Sequence, residues 1–397
     1  MRAQIDQKYQ EFSREGFRTL GVAYKRLPNQ IALSNQDEND LCFLGFLTFF
    51  DPPKTNCATT IQQLRELGVT LKIVTGDNRL VASTVSKQLG LAEHEILTGP
   101  QIHNMSDLAL MNQVADVDLF AEVEPNQKER IILALKKAGF VVGYMGDGIN
   151  DVSALHVADV GISVDSAADV AKETAQIVLL EKDLGVLVQG VKEGRITFAN
   201  TLKYVFMATS SNFGNMFSMA GASLFLPFLP LLPKQILLTN LLTDFPEMTI
   251  ASDNVDLQMI AQPRRWDIKF IRKFMMTFGF VSSIYDYMTF GLLLLLDVSP
   301  EEFRTAWFTE SVLSASLIVF VVRSSQPFFK TRPSNYLSLA TFSIVITTLC
   351  LPYTPLASLT GFVPLPMHLI TLLVAIVAMY LCTAELAKHY FYKVTKL

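Results

Sequence analysis

Half of the 397 residues are apolar and only 18% are charged, which is lean for a chain of ordinary soluble composition. The length allows two or three domains, and a net charge of −4 argues against nucleic acid as the main partner. Four cysteines, Cys42, Cys57, Cys350 and Cys382, form no C-x-x-C pair, so neither a zinc site nor a disulfide framework is indicated.

The chain opens on MRAQIDQKYQEFSREGF, polar and helix-like, without the apolar core of a signal peptide. Charges are dense and mixed up to about residue 195, and β-type runs alternate there with amphipathic helical runs. LCFLGFLTFFD reads as a strand ending at Asp51, VTLKIVTGD as one ending at Asp77, and FVVGYMGD as one ending at Asp147. DVGISV and QIVLL are further short strands, and helices are expected over 55–68, 78–90 and 125–138. This alternation implies an α/β fold with a mostly parallel sheet covered on both faces. Ligands of such sheets bind beyond the carboxyl ends of the strands. Three strands ending on aspartate, two of them as Gly-Asp before a helix, therefore gather acidic groups and helix starts at one rim.

That rim suits phosphoryl transfer with Mg2+, a hard cation held by one or two carboxylates and phosphate oxygens. Thr75 and Gly76 offer a hydroxyl and a backbone N–H to phosphate oxygens at a helix start. Lys128, in VEPNQKERI, is placed to neutralise phosphate charge, and Gly146 and Gly148 let the backbone bend tightly around Asp147. Alone, T-G-D is an ordinary turn and cap, and a lone helical lysine is an ordinary solvated side chain. The three strings in this order, each at a strand end, are harder to explain that way.

Six later segments have the length and apolarity of bilayer spans: 197–225, 231–251, 271–296, 307–323, 336–353 and 366–387. The helical run from 184 to 200 is expected to continue into the first of them. The proline-rich LPFLPLLPK reverses the chain between the first two. Lys and Arg concentrate after the second span (Arg264, Arg265, Lys269, Arg272, Lys273), after the fourth (Arg323, Lys330, Arg332) and in the tail (Lys388, Lys393, Lys396). The alternate connections hold only Lys234 and Arg304, which puts the soluble half and the C-terminus on the cytoplasmic side. Polar groups within hydrocarbon are costly and usually face the bundle interior. Asn212 and Asn215 share a face of the first span, and Asn240 and Asp244 share a face of the second, just before Pro246. Amide oxygens, a carboxylate and carbonyls freed by proline make a candidate hard-cation site, with interhelical hydrogen bonding as the plainer reading. Asp286 and Glu310 lie within or at the edge of later spans and are candidates for ligands, packing groups or proton sites.

TGDN at 75–78, Lys128 in PNQKERI, and GDGINDVSAL at 146–155 resemble the phosphorylation domain of P-type ATPases, ion pumps of the haloacid-dehalogenase-like fold. FFDPPK at 49–54 is similar to the family's D-P-P segment at a hinge. The resemblance implies a phosphorylation domain over 41–185 and a stalk with an all-α transmembrane domain over 186–397. Residues 1–40 would be a remnant of a nucleotide-binding domain. It implies ATP and Mg2+ as cofactors, and a bacterial-type plasma membrane as location. Asp147 would be a ligand of the catalytic Mg2+, and Asp151 would order the site and its water. Thr75, Gly76 and Asp77 would contact the transferred phosphoryl group, Lys128 would stabilise its charge, and Asp51 would be a hinge or nucleotide contact. Six spans argue against the heavy-metal branch. SSNFGNMFS (210–218), PRRWD (263–267), SSIYDYMTF (282–290) and WFTE (307–310) resemble the bacterial magnesium-translocating branch, with Ca2+ and H+ pumps as the nearest alternatives.

The family's D-K-T-G-T string, which carries the phosphorylated aspartate, and its T-G-E-S loop occur nowhere in the sequence. The resemblance is thus to the C-terminal half of a pump that begins inside a domain. It implies a transported divalent cation, membrane lipid and an N-terminal half as partners. A truncated, non-catalytic membrane protein is the competing reading.

Overall fold

The computed structural model describes residues 2–26, 38–54, 56–91, 95–181 and 183–395. Residues 27–37 of the expected nucleotide-domain remnant and Lys396 of the tail lie outside the described residues. The chain divides into two compact units, Met1–Gly190 and Val191–Leu397.

The first unit opens with helix α1 (Arg2–Arg14) and strand β1 (Arg18–Tyr24). β1 pairs antiparallel with β2 (Cys42–Phe49), with Arg18 opposite Phe49 and Tyr24 opposite Cys42. This corrects one expectation. The strand leading to Asp51 is not part of a parallel sheet, because the Thr-, Val- and Tyr-bearing run of β1 takes it as a partner. Phe43 and Phe46 of β2 then pack edge-on, and Phe46 meets Phe12 of α1.

The remaining strands form two parallel sheets of three. One has the order β3-β5-β4, from Ile73–Val74, Leu119–Ala121 and Ile96–Thr98. The other has the order β6-β7-β8, from Gly143–Met145, Val160–Val164 and Ile177–Leu179. The helices between them are α2 (Cys57–Glu66), α3 (Arg79–Gln88), α4 (Gly99–Asn104), α5 (Asp107–Gln113), α6 (Pro125–Lys137), α7 (Val152–Val157) and α8 (Asp169–Thr174). The helices expected over 55–68, 78–90 and 125–138 are therefore present as α2, α3 and α6. β4 and β5 have no counterpart in the sequence reading. β5 is three buried residues between Asp118 and Glu122, too short to show an alternation, yet it is the middle strand of its sheet. Phe120 of β5, Leu97 of β4 and Tyr144 of β6 share one core with Ile131 and Leu135 of α6 and Leu155 of α7.

The second unit is helical. Helix α9 runs unbroken from Gly185 to Ala222, as expected for a run continuing into the first span, and contains the border between the units. It is followed by α10 (Pro233–Thr249), α11 (Leu257–Ala261), α12 (Ile268–Leu295), α13 (Pro300–Val322), α14 (Asn335–Cys350), α15 (Leu356–Thr360) and α16 (Met367–Val394). α13 is buried along most of its length and packs against α10, α12, α14 and α16. Its start is set by Ser299, whose hydroxyl accepts from Glu302 N at 3.2 Å ahead of Pro300. Among the described residues four helices are long and apolar enough to cross a membrane: α12, α13, α14 extended to Tyr353, and α16. The first two of the six expected spans fall on α9 and α10. Neither reaches that standard, because α10 has only 17 residues and the membrane part of α9 is rich in Ser and Asn.

Candidate functional site

In the first unit, the T-G-D loop follows β3. Asn78 caps α3 by accepting from Leu80 N at 2.6 Å, and its amide donates to Tyr9 Oη at 2.6 Å. Thr75 Oγ1 accepts from Asp77 N at 3.1 Å and donates to Asp77 Oδ2 at 3.0 Å. The Arg18 guanidinium reaches the same carboxylate oxygen at 2.8 Å. The loop is bound edge to edge to the end of β5. Thr75 N donates to Phe120 O, Val123 N to Thr75 O, and Glu122 N to Asp77 O, at 2.9 to 3.0 Å. Glu122 holds a left-handed backbone, φ 56°, and its carboxylate accepts from Arg79 N at 3.1 Å. A non-glycine residue in that region is sparsely populated, so the turn is held there by its surroundings.

That segment leads into α6, where Lys128 stands in the first turn. Glu124 caps the helix, and Gln127 ties it down through Glu124 N and Gly99 O, each at 3.0 Å. Lys128 Nζ donates to Asp151 Oδ1 at 2.8 Å, and Tyr144 Oη of β6 donates to the same oxygen at 2.6 Å. Asp151 Oδ2 accepts from Gly148 N at 3.2 Å. Burial pushes the Asp151 carboxyl up, but the hydrogen bonds from Lys128, Tyr144 and Gly148 and the lysine charge outweigh it. The group is held below the usual carboxylate range. Burial and the neighbouring carboxylate push the Tyr144 hydroxyl well up, so it remains a donor. Gly146 is required for this closure, since a Cβ there would stand 2.5 Å from Asp151 Cβ.

Asp147 is exposed and takes no part in those hydrogen bonds. Its carbonyl accepts from Ala168 N at 3.0 Å, and the residue lines a cavity of about 610 Å3 with Lys54, Cys57, Thr60, Glu181 and Asp183. Thus Thr75 and Asp77 are together, Lys128 and Asp151 are together, and residues 120–123 join the two pairs. Asp51 is exposed beyond the end of β2, a strand that belongs to neither parallel sheet. Both Asp151 oxygens are occupied by donors, so Asp147 is the carboxylate left for a cation. A hard oxygen donor next to phosphate-type groups fits Mg2+, which commonly takes one or two carboxylates and fills its other positions with phosphate or water. Among the described residues no group of three or more His, Cys, Asp or Glu is arranged to hold a metal. The remaining ligands would therefore come from such oxygens.

In the second unit, Asn215 Oδ1 accepts from Ser311 of α13 at 3.3 Å, whereas Asn212 on the same helix is exposed. Asn240 and Asp244 lie on the exposed side of α10. Asp286 is buried on α12 and accepts from Ser218 of α9 at 2.6 Å and from Trp307 Nε1 of α13 at 2.8 Å. Glu310 is buried and interacts with Asp286 and Ser314, while its Oε2 has no partner among the described residues. Sequence reasoning missed Tyr144, Glu122, Arg18, Ser218, Trp307 and the buried Glu247. Two signals were available. Ser218 follows Asn215 by three residues on one helix face, and a tryptophan inside a span needs a partner for its N–H.

Comparison with known proteins extends the geometry. The family model for the C-terminus of cation transporting ATPases matches residues 228–390, and the haloacid dehalogenase-like hydrolase model matches residues 4–159. The chain is 42% identical over 395 residues to a magnesium-transporting ATPase, P-type 1, of Salmonella typhimurium strain LT2, covering 97% of this chain and 44% of that protein. It is 45% identical over 386 residues to the magnesium-transporting ATPase, P-type 1, of Escherichia coli K12, covering 96% and 43%. Identity to calcium-transporting ATPase 1 of Bacillus cereus is 33% over 266 residues, covering 66% and 30%. The chain therefore spans less than half the length of the relatives it matches.

Proposed function

Because the chain belongs to the cation-transporting P-type ATPases, we propose that it carries phosphate-site residues and much of the membrane path of an ATP-driven pump, with Mg2+ as the transported ion. One observation carries this reading: identity of 42–45% to magnesium-transporting relatives extends over 96–97% of the chain, strand-end loops and spans alike. Calcium transport is the second reading, favoured by more distant relatives at 30–33% identity.

On this proposal residues 41–185 are the phosphorylation domain, 186–397 the stalk and membrane domain, and 1–40 part of a nucleotide-binding domain, with β1 and β2 pairing across that border. Six spans cross a bacterial plasma membrane, with the first unit on the cytoplasmic side. α9 and α10 are the first two; Asn215 meets α13, and the exposed Asn212, Asn240 and Asp244 are on this reading covered by the further polypeptide of the complete pump rather than by lipid. The phosphorylated aspartate, absent from this sequence, lies on further polypeptide.

Mg2+ bound at Asp147 would neutralise phosphate charge. This chain's own residues supply positioning and charge around the aspartate that the further polypeptide brings. Thr75 and Gly76 present a hydroxyl and an N–H beside the helix start of α3, and Asp77 is held by Arg18 until a phosphoryl group enters. Lys128 supplies positive charge, aimed by Asp151, which Tyr144 and Gly148 hold still. Positioning and electrostatics dominate phosphoryl transfer, which is what these residues offer to an aspartate supplied from outside this sequence. In the membrane unit, Asn212, Asn215, Asn240 and Asp244 line the cation path. Asp286 and Glu310 are weaker candidates, because Asp286 has donors on both oxygens.

The test is ion uptake into vesicles reconstituted with the complete polypeptide that carries this chain, driven by ATP, across Mg2+, Ca2+ and pH. ATP-dependent Mg2+ accumulation is expected. Accumulation of Ca2+ instead would favour the second reading, and movement of neither would remove both.

A further inference from the structure

Glu247 is a buried carboxylate without a task in the scheme above. It sits on α10 one turn beyond Asp244, with Pro246 between them inside the helix. It is only 8% exposed, and among the described residues it receives neither a hydrogen bond nor an ion pair. The charge that acts on it is that of Asp244.

Two other buried carboxylates of this unit, Asp253 and Asp286, are provided for differently, whereas Glu310 shares its surroundings with Asp286. Asp253 receives Lys203 and Arg323, each at 2.8 Å, and the Ser334 N–H at 3.0 Å. Asp286 receives Ser218 and Trp307. A carboxylate largely removed from water without donors is costly, and in a membrane helix that cost is normally tolerated only for function. The backbone beside Glu247 adds a second, independent feature. Pro246 has no N–H, so the carbonyl of Leu242, four residues earlier, lacks its helical donor. One turn of α10 thus presents two carboxylates and a released carbonyl, all hard oxygen donors, with a combined charge matching a divalent cation.

We infer that Glu247 is a ligand of the transported divalent cation, acting with Asp244 and the Leu242 carbonyl. The inference rests on the pump reading and adds to it a residue that closes the buried side of the site, where Asp244 holds the exposed side. Charge on Glu247, rather than its bulk, is what the cation requires.

The experiment compares wild type, Glu247→Gln and Glu247→Asp of the complete polypeptide in ATP-driven Mg2+ uptake by vesicles, with the ATP concentration for half-maximal rate measured in parallel. Glu247→Gln keeps the shape and removes the charge. Its half-saturating Mg2+ concentration should rise at least roughly tenfold, the scale on which even outer-shell partners of a metal are felt. Glu247→Asp should recover part of the loss, and the ATP dependence should stay put. A wild-type Mg2+ dependence in Glu247→Gln would overturn the inference and point to a group that is protonated throughout. If Glu247→Gln fails to accumulate, Glu247→Asp decides: a raised half-saturating concentration supports the ligand role, and an unchanged one overturns it. Wild-type vesicles that move no divalent cation would instead bring down the pump reading, together with this inference.

Discussion

Replacing Lys128 with methionine tests whether the candidate phosphate site is built as described. The substitution keeps the aliphatic stem and removes the donor from Asp151, whose side chain is 11% exposed, against 14% for that of Lys128. At that burial the pair is not a solvent-screened surface bridge. Tyr144 and the Gly148 N–H still hold the carboxylate, so the loss is that of one charge-assisted hydrogen bond, about 2 kcal/mol. By local opening this makes amides around Tyr144–Asp151 exchange roughly thirtyfold faster. The assay is hydrogen exchange with mass spectrometry on the detergent-solubilised chain. The sign with pH follows from the direction of the shift. In the wild type the Asp151 carboxyl is held below its unfolded value, so its contribution is present above that value and lost as pH falls through the folded one. Without Lys128, burial pushes the carboxyl up, so the mutant's deficit is largest near neutral pH and shrinks on acidification. Adding Asp151→Asn to Lys128→Met should return most of the protection, because no charge is then left buried. Unchanged protection in the single mutant, or a deficit independent of pH after correction for intrinsic rates, would refute the reasoning.

Gly146→Ala should damage the same loop and lower the unfolding temperature of the first unit, since its Cβ meets Asp151 Cβ at 2.5 Å. Gly148→Ala, with its nearest neighbour at 3.5 Å, should be far milder, and thermal unfolding of the two variants side by side checks the contrast. Asp253→Asn should cost about 3–5 kcal/mol, because Lys203 and Arg323 are both left buried without their counter-charge. Fluorescence of Trp266 and Trp307, both in the helical unit, would follow that loss on heating in detergent. Burial pushes the Asp253 carboxyl up, but Arg323 and Lys203 hold it below the usual range. The wild-type unit should accordingly lose stability only when acidified below that range. Asp244→Asn, at an exposed position, should leave the same unfolding transition nearly unchanged.

How far these features were visible beforehand depended on how local they are. Asn78 and Gly146 advertise a cap and a tight turn within a few residues of Asp77 and Asp147, so the strand-end loops could be placed from spacing alone. Lys128 could be flagged by its position at a helix start, but its bond to Asp151 spans 23 residues and its orientation depends on Gln127 reaching Gly99. β5 escaped notice because three buried residues between acidic neighbours carry no periodicity. The partner of β2 escaped because nothing local distinguishes an antiparallel neighbour from a parallel one. In the helical unit, two residues four apart do share a face, as Asn240 and Asp244 do. Which way that face turns is decided by neighbouring helices, and here it is the turn bearing Glu247 that faces inward.

The ammonium of Lys128 is already engaged by Asp151 before any phosphate arrives. If Lys128 serves phosphate as proposed, an incoming anion has to displace an internal rival, so its apparent affinity would understate the strength of the contacts it finally makes. The same rivalry would return the lysine to Asp151 as phosphate departs and so oppose product retention. A site arranged in this way would favour turnover over tight holding.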